Sequence, residues 1–373
     1  MYPRDGFPQF PVVLLAGALG SLLLVACWGG VSSGSIDFLK ILPPETNFLV
    51  MVRFQDVVDG PLGILVVPDS SSPSDPETEK TYLELFKRET GFAVHRDLDR
   101  IAFAAELGPW GPERFVSLWE GDFDQELIRQ WFSKRFSQKT TYRGRDLLSV
   151  PFSLVGNQQE DCHLGFLGTR LAVAGDPQFV ARTIDLADGV GLGILGSPGW
   201  SLPLDRVDRG ASVWAVLSSP SLFEGWARAI QAFWPRFDLG VPVSRLRGLI
   251  LEADVSAGVD VAIRGFLDTE GEAESLLESL RAAFALLRHE YGERNLPLRY
   301  LLDSIRVESS PDGIQVRFQV PLDFLEEFRW EAPEIHEAGW KDRFRPAKET
   351  ENYGVDLLTG EASAVRSMRE SPS

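Results

Sequence analysis

The fold class is legible in the stretch Pro311-Asp312-Gly313-Ile314-Gln315-Val316-Arg317-Phe318-Gln319-Val320. Ile314, Val316, Phe318 and Val320 alternate with Gln315, Arg317 and Gln319, so an extended chain here has one dry face and one wet face. That alternation belongs to antiparallel sheets with one face packed on a core. Pro311-Asp312-Gly313 supplies the turn before it, since proline presets φ and glycine accepts φ > 0. The strand therefore pairs with a predecessor at Ser304–Ser309.

Read outward from this hairpin, the chain shows one order of elements twice. The second copy opens with a strand at Ala211–Leu217 and an aromatic-rich helix at Leu222–Phe233. Strands at Leu246–Val255 and Val259–Leu267, a long helix at Glu270–Tyr291, the hairpin and a short helix at Asp323–Phe328 complete it. The first copy has a strand at Asn47–Phe54, a helical region ending near Gly91, and strands at Arg100–Leu107 and Arg114–Glu120. A helix from Phe123 to Phe136 follows, then strands at Asp146–Phe152 and His163–Ala174 and a closing helix from Pro177. Corresponding elements lie roughly 150 residues apart, too far for a solenoid and enough for a core in each copy.

The two central helices carry matching apolar stripes. Leu127, Ile128, Trp131, Phe132 and Phe136 form one, and Leu276, Leu277, Leu280, Ala283, Phe284 and Leu287 form the other. Both helices start at capping-box spacing, Asp122 with Gln125 and Thr269 with Glu272. The expected fold class is α+β: two pseudo-symmetric βαββαββ lobes with antiparallel sheets covered on one face by helices, able to join into a continuous sheet. The expected segments are a leader at 1–27, a tether at 28–35, lobes at 36–200 and 201–330, and a polar, largely disordered tail at 331–373. Asp69–Glu77 reads as a polar loop.

Glu89-Thr-Gly-Phe92 followed by Arg96-Asp97-Leu98-Asp99, Tyr142-Arg-Gly before a strand, and Ala174-Gly-Asp-Pro177 before a helix carry a resemblance. Together they are similar to a family of exported, lipid-anchored bacterial proteins of unknown function built from duplicated α+β lobes. The resemblance spans most of residues 40–320 and supplies no catalytic residue. Its motifs have local physical roles. Gly91 stops a helix, while Asp176 and Pro177 start one as N-cap and N1.

The composition is that of a folded protein, 44% hydrophobic with 24 Phe and 10 Trp, enough for a substantial core in 373 residues. The formal net charge of −17 repels phosphate backbones, so nucleic acid is not an expected partner. It also repels anionic headgroups, which favours a tethered body over one lying flat on a bilayer. The two cysteines, Cys27 and Cys162, make no disulfide framework if Cys27 carries lipid.

The leader locates the protein. Phe10 to Cys27 is uncharged and ends Leu24-Val25-Ala26-Cys27, which resembles a bacterial lipobox. Small Ala26 admits the peptidase, and the Cys27 thiol accepts the lipid. The run is also close to the roughly 18 to 20 residues that cross a bilayer uncleaved. Its leader, with Arg4 and Asp5, carries no net side-chain charge. An uncleaved transmembrane anchor is the alternative. Either way the body lies outside the cytoplasm of a bacterium, in the periplasm or at the cell surface, with membrane lipid as its partner.

Candidate chemistry is sparse. Gly30-Val-Ser32-Ser-Gly34 fits the nucleophile elbow but belongs to the tether, without the strand and helix that the elbow needs. Gly191-Leu-Gly193-Ile-Leu-Gly196 fits G-x-G-x-x-G but follows a helix, so it reads as a connection between lobes. His95, His163, His289 and His336 lack metal spacing, and neighbours such as Cys162 and His163 point to opposite faces of a strand. Asp122, Asp124, Glu252, Asp254, Asp268 and Glu270 lie near strand ends as caps and rims, and Trp119 and Trp214 read as core. No catalytic, cofactor or metal site is expected. The expected function is a non-enzymatic binding or scaffold module of the envelope, with a protein partner there. The alternatives are a subunit of a membrane complex, or an envelope hydrolase with carboxylates in an inter-lobe cleft.

Overall fold

Alternating and continuous apolar runs become strands throughout the computed structural model. It describes residues 37–60, 82–108, 111–135, 138–152, 160–233, 240–255, 258–291, 296–310 and 312–321. The leader with Cys27, the tether, the Asp69–Glu77 loop, the Asp323–Phe328 helix and the tail lie outside the described residues. The first half holds β1 (Phe48–Arg53), β2 (Leu98–Gly108), β3 (Gly111–Gly121), β4 (Lys139–Tyr142), β5 (Arg145–Phe152), β6 (Glu160–Phe166) and β7 (Leu171–Gly175). The second holds β8 (Val213–Leu217), β9 (Gly248–Asp254), β10 (Asp260–Phe266), β11 (Arg306–Ser310) and β12 (Gly313–Gln319). The helices are α1 (Phe54–Asp59), α2 (Tyr82–Thr90), α3 (Val94–Asp97), α4 (Gln125–Arg135), α5 (Pro177–Ala187) and α6 (Pro198–Arg206). They continue with α7 (Pro220–Phe233), α8 (Gly240–Ser244), α9 (Glu270–Tyr291) and α10 (Leu296–Ser304).

All strands join in one twelve-stranded sheet, ordered β11-β12-β10-β9-β8-β1-β2-β3-β7-β6-β5-β4. Every pairing in it is antiparallel. The fold is α+β with antiparallel lobes. The second lobe follows β-helix-β-β-helix-β-β, and its strand order 8-9-10-12-11 matches 1-2-3-7-6 of the first. The first lobe carries a further hairpin, β4–β5, at its outer edge. The single strand expected over His163–Ala174 is in fact β6 and β7, turned at Leu167–Arg170, where the Leu167 N–H donates to Leu171 O at 2.8 Å. Gly168 and polar Thr169 break the apolar run there.

The lobes meet strand to strand. β1 pairs with β8 antiparallel, with Leu49 opposite Val216 and Met51 opposite Trp214. Helices cover both faces of the central strands, whereas alternation at the hairpin led to one covered face. The reason lies in Leu49-Val-Met-Val52 and Val213-Trp-Ala-Val-Leu217, continuous apolar runs that suit burial on both sides. On one face Leu49, Met51, Leu118, Val173, Trp214 and Ile250 pack with Phe38 and Leu42, Phe179 and Ile184 of α5, and Trp200 and Leu204 of α6. On the other, Val50, Val52, Ala215, Val261, Val316 and Phe318 pack with Phe54 of α1, Phe223 of α7, Leu276 of α9 and Leu301 of α10.

Local signals mostly act as the residues require. Asp176 accepts hydrogen bonds from the N–H groups of Gln178 and Phe179 at 2.9 and 3.2 Å, with Pro177 at the first helical position. Gly91 takes φ 72°, and its N–H donates to Lys87 O at the end of α2. Gly313 takes φ 148°, and a Cβ there would lie 2.0 Å from Gly265 O, so only glycine fits. Thr269 Oγ1 accepts from the Glu272 N–H at 3.3 Å, while Glu272 Oε2 is buried without a hydrogen-bond partner, so that box closes on one side only. Asp122 does not cap α4. Asp124 does, accepting from the Leu127 N–H at 3.0 Å, and Asp122 instead pairs with Arg170. Arg170, at the β6–β7 turn, also reaches Asp99 and draws Asp122 away from the helix.

Candidate functional site

On the face where α6 covers Ile250 of β9 and Phe266 of β10, the cover ends farther along these strands, and the sheet exposes a charged surface. Register places Glu252 and Asp254 of β9 on the same face as Asp260, Ala262 and Arg264 of β10. Gln315, Arg317 and Gln319 of β12 share it. These residues, with Asp208 and Ser304 at the rim, line a concavity of about 730 Å³. Asp254, Asp260, Arg317 and Gln319 are exposed, and small Ala262 leaves a gap between longer neighbours.

The groups are ordered by one another. Glu252 is 8% exposed. Its carboxylate receives Arg264 NH2 on both oxygens and the Asp208 N–H on Oε1. Asp260 Oδ1 accepts from Gln319 Nε2 at 2.7 Å. With its amide in the orientation its neighbour requires, Gln315 accepts from Arg317 Nε and NH2 at 3.0 and 3.2 Å. Asp254 lies directly opposite Asp260 across the ladder, a like-charge pair that weakens the outer end of the strands. Arg264 Nε is buried without a hydrogen-bond partner. The arrangement suits recognition of a polar ligand. Glu252, held by a guanidinium and an amide, is poorly placed to act as a base.

Of the six sequence carboxylates, only Glu252 and Asp254 meet here. Asp122 and Asp124 serve Arg170 and the α4 cap, Glu270 starts α9, and Asp268 pairs with Arg247 at 2.8 Å. The Arg247 hydrogen bond holds the Asp268 carboxyl below its ordinary range. Where an inter-lobe cleft was considered, the sheet continues through the β1–β8 ladder. Trp214 is buried at that joint, and Trp119 packs with Ile101 and Phe86 under the helices of the first lobe.

Cys162 is buried beside Ala105 and Phe115, and half-buried His163 faces the other way, opposite Gly175 and Ser149. His95 and His289 are exposed on different helices. Among the described residues no three His, Cys, Asp or Glu side chains are grouped to hold a metal, and no helix is long and apolar enough to cross a membrane. The Gly191–Gly196 segment follows helix α5 and leads into a short 3-10 turn, without the strand that a dinucleotide site needs. Gly30–Gly34, His336 and the leader residues Leu24, Val25, Ala26 and Cys27 lie outside the described residues.

Sequence reading took Gln315, Arg317 and Gln319 only as the wet face of a strand, and it passed over Asp260 and Arg264. Their signal was available: two strands with long polar side chains on their wet faces, one interrupted by alanine. What the sequence lacked was the pairing that sets those wet faces side by side.

No family model matches the chain, and no curated protein matches it. Solved structures of TP0453 are distantly similar. Crystal form III aligns with a TM-score of 0.43 at 10% identity, over 79% of this chain and 98% of that one. Crystal form I aligns with a TM-score of 0.42 at 10% identity, over 79% and 96%.

Proposed function

We propose that the protein is an extracytoplasmic module, tethered to a bacterial membrane by its N-terminal segment, that binds a partner through the polar sheet face of the second lobe. In this reading the Cys27 thiol receives its lipid first, and the peptidase then reads Leu24-Val25-Ala26 and cleaves between Ala26 and Cys27. The observation that carries the binding role is the order of the face itself. Glu252, Arg264, Asp260, Gln319, Gln315 and Arg317 hold one another in place around open space, and pre-set polar groups lower the cost of ordering on binding. The structure of the face supports recognition over catalysis because its buried carboxylate is fully engaged.

Two experiments test the reading. Fatty-acid labelling should mark the wild-type protein, and Cys27→Ser should release or mislocalise it. An unlabelled wild type that keeps its apolar segment would instead make the segment a transmembrane anchor, the reading its uncharged length favours. A photo-crosslinking amino acid in place of Gln319 should yield a discrete adduct in cells, lost in an Arg317→Ala background. No adduct from Gln319, Asp254 or Asp260 would remove this face as the binding surface.

A further inference from the structure

Among the described residues six large apolar side chains are well exposed, and four of them fall within thirteen residues: Val190 at 43%, Leu192 at 72%, Leu195 at 48% and Leu202 at 44%. Three of these sit on the short loop between α5 and α6. Exposed apolar groups clustered in this way mark a contact surface.

The loop holds these side chains outward by a fixed backbone. The Val190 N–H donates to Asp185 O at 2.8 Å, and the Ser197 N–H to Ile194 O at 3.0 Å. Ile194 is fully buried in the core while its neighbours Leu192 and Leu195 stay in solvent. Gly193 lies against the N-terminal 3-10 turn at Phe38–Lys40 and the residues just after it: a Cβ there would meet Lys40 O at 2.5 Å and Leu42 O at 2.9 Å. The Ile194 N–H donates to Leu42 O at 3.1 Å. The exposed leucines are therefore pinned beside residues 40–42, where the chain enters the fold from its apolar leader.

That adjacency identifies the occupant. Ten residues, Trp28 to Asp37, separate Cys27 from the turn at Phe38–Lys40, and the stretch can span at most about 40 Å. A membrane anchor at Cys27 holds this corner of the protein near the bilayer, and tethering raises the effective concentration of lipid at the loop. Lys40, 70% exposed beside the loop, suits the headgroup level, where a lysine stem can lie along apolar surface. The net charge of −17 keeps the rest of the body off anionic headgroups.

We infer that Val190, Leu192 and Leu195 form a lipid-contacting tip that enters the interface of the membrane to which the N-terminus is tethered. The inference rests on the anchoring proposed above. The contact would orient the body, with the loop toward the lipid, where a tether alone would leave it free to turn.

The test uses the full chain reconstituted in phosphatidylcholine vesicles, with an environment-sensitive fluorophore on Leu192→Cys or, as a control on α9, on Glu274→Cys. The parent chain is labelled in parallel for background. Lipids carrying a shallow spin label should quench the Leu192 probe about two-fold or more beyond the Glu274 probe, as expected of interfacial insertion. Replacing Val190 and Leu195 by serine should reduce that difference while the chain still floats with the vesicles. Flotation with equal quenching at both positions would overturn the lipid contact and leave the anchor standing. A blue-shifted Leu192 probe without quenching would place protein over the loop and equally overturn it. Failure of the chain to float would overturn the anchor and the lipid contact together.

Discussion

Glu252 lies on β9 with Arg264 on both carboxylate oxygens and a backbone N–H on one of them. Removing one partner of such a pair leaves the other charge poorly solvated, which costs more than the pair contributes. Glu252→Ala should destabilise the protein by about 2 kcal/mol, allowing for partial exposure of Arg264. A double change to Glu252→Leu and Arg264→Met should recover most of that loss, read as urea midpoints. Nothing in the local sequence distinguishes Glu252 from the exposed Asp254 two residues on. Cys162 was more legible, because alternation with His163 already placed one of them inside. Cys162→Ala should cost about 1 kcal/mol through lost packing against Ala105 and Phe115. Denaturant unfolding at constant m-value would check it.

At the scale of elements, the turn from Gly91 through α3 into β2 is a local device. The Ala93 N–H donates to Asp97 Oδ2 at 2.6 Å, and Arg96 pairs with the same carboxylate while its NH2 donates to Gly91 O. Burial opposes the Asp97 charge, but the Arg96 hydrogen bond, the Ala93 N–H and the positive charge of Arg96 outweigh it and hold the carboxyl below its ordinary range. A carboxyl depressed in the folded state contributes stability above its unfolded value of about 3.9 and loses it as pH falls through the folded value. Asp97→Asn should therefore cost about 1 kcal/mol near pH 6, with the gap to wild type narrowing as the pH falls below about 3.9. Urea midpoints across that range would show it, and a gap independent of pH would contradict it. Asp176→Ala should cost about 1 kcal/mol by freeing two N–H groups of α5. Both devices were legible as turn and cap patterns. Sequence reading assigned the α4 cap to Asp122, whereas Asp124 supplies it, because Arg170, far along the chain, competes for the Asp122 carboxylate.

At the scale of the whole molecule, the β1–β8 ladder makes the lobes share one sheet, and Trp200 of α6 donates its Nε1 hydrogen to Thr46 O in the first half. Unfolding should then be a single cooperative transition, with fluorescence and circular dichroism coincident and calorimetric and van't Hoff enthalpies equal. Two separated transitions would show that the lobes are energetically independent. Local sequence marked most of the strands, the central helices, the turns, most of the caps and the apolar leader. Each of these depends on residues a few positions apart, where covalent geometry places side chains on one face or the other. Long-range packing set everything else. It paired Phe48 with Leu217 at the joint, buried the central strands on both faces, added β4 at the edge and turned the chain between β6 and β7, and set the wet faces of β9, β10 and β12 around one concavity. It also turned Val190, Leu192 and Leu195 outward beside the N-terminal turn. These outcomes depend on which strands and loops become neighbours across long stretches of chain, and a local pattern of apolar and polar residues is compatible with several such choices until packing selects one.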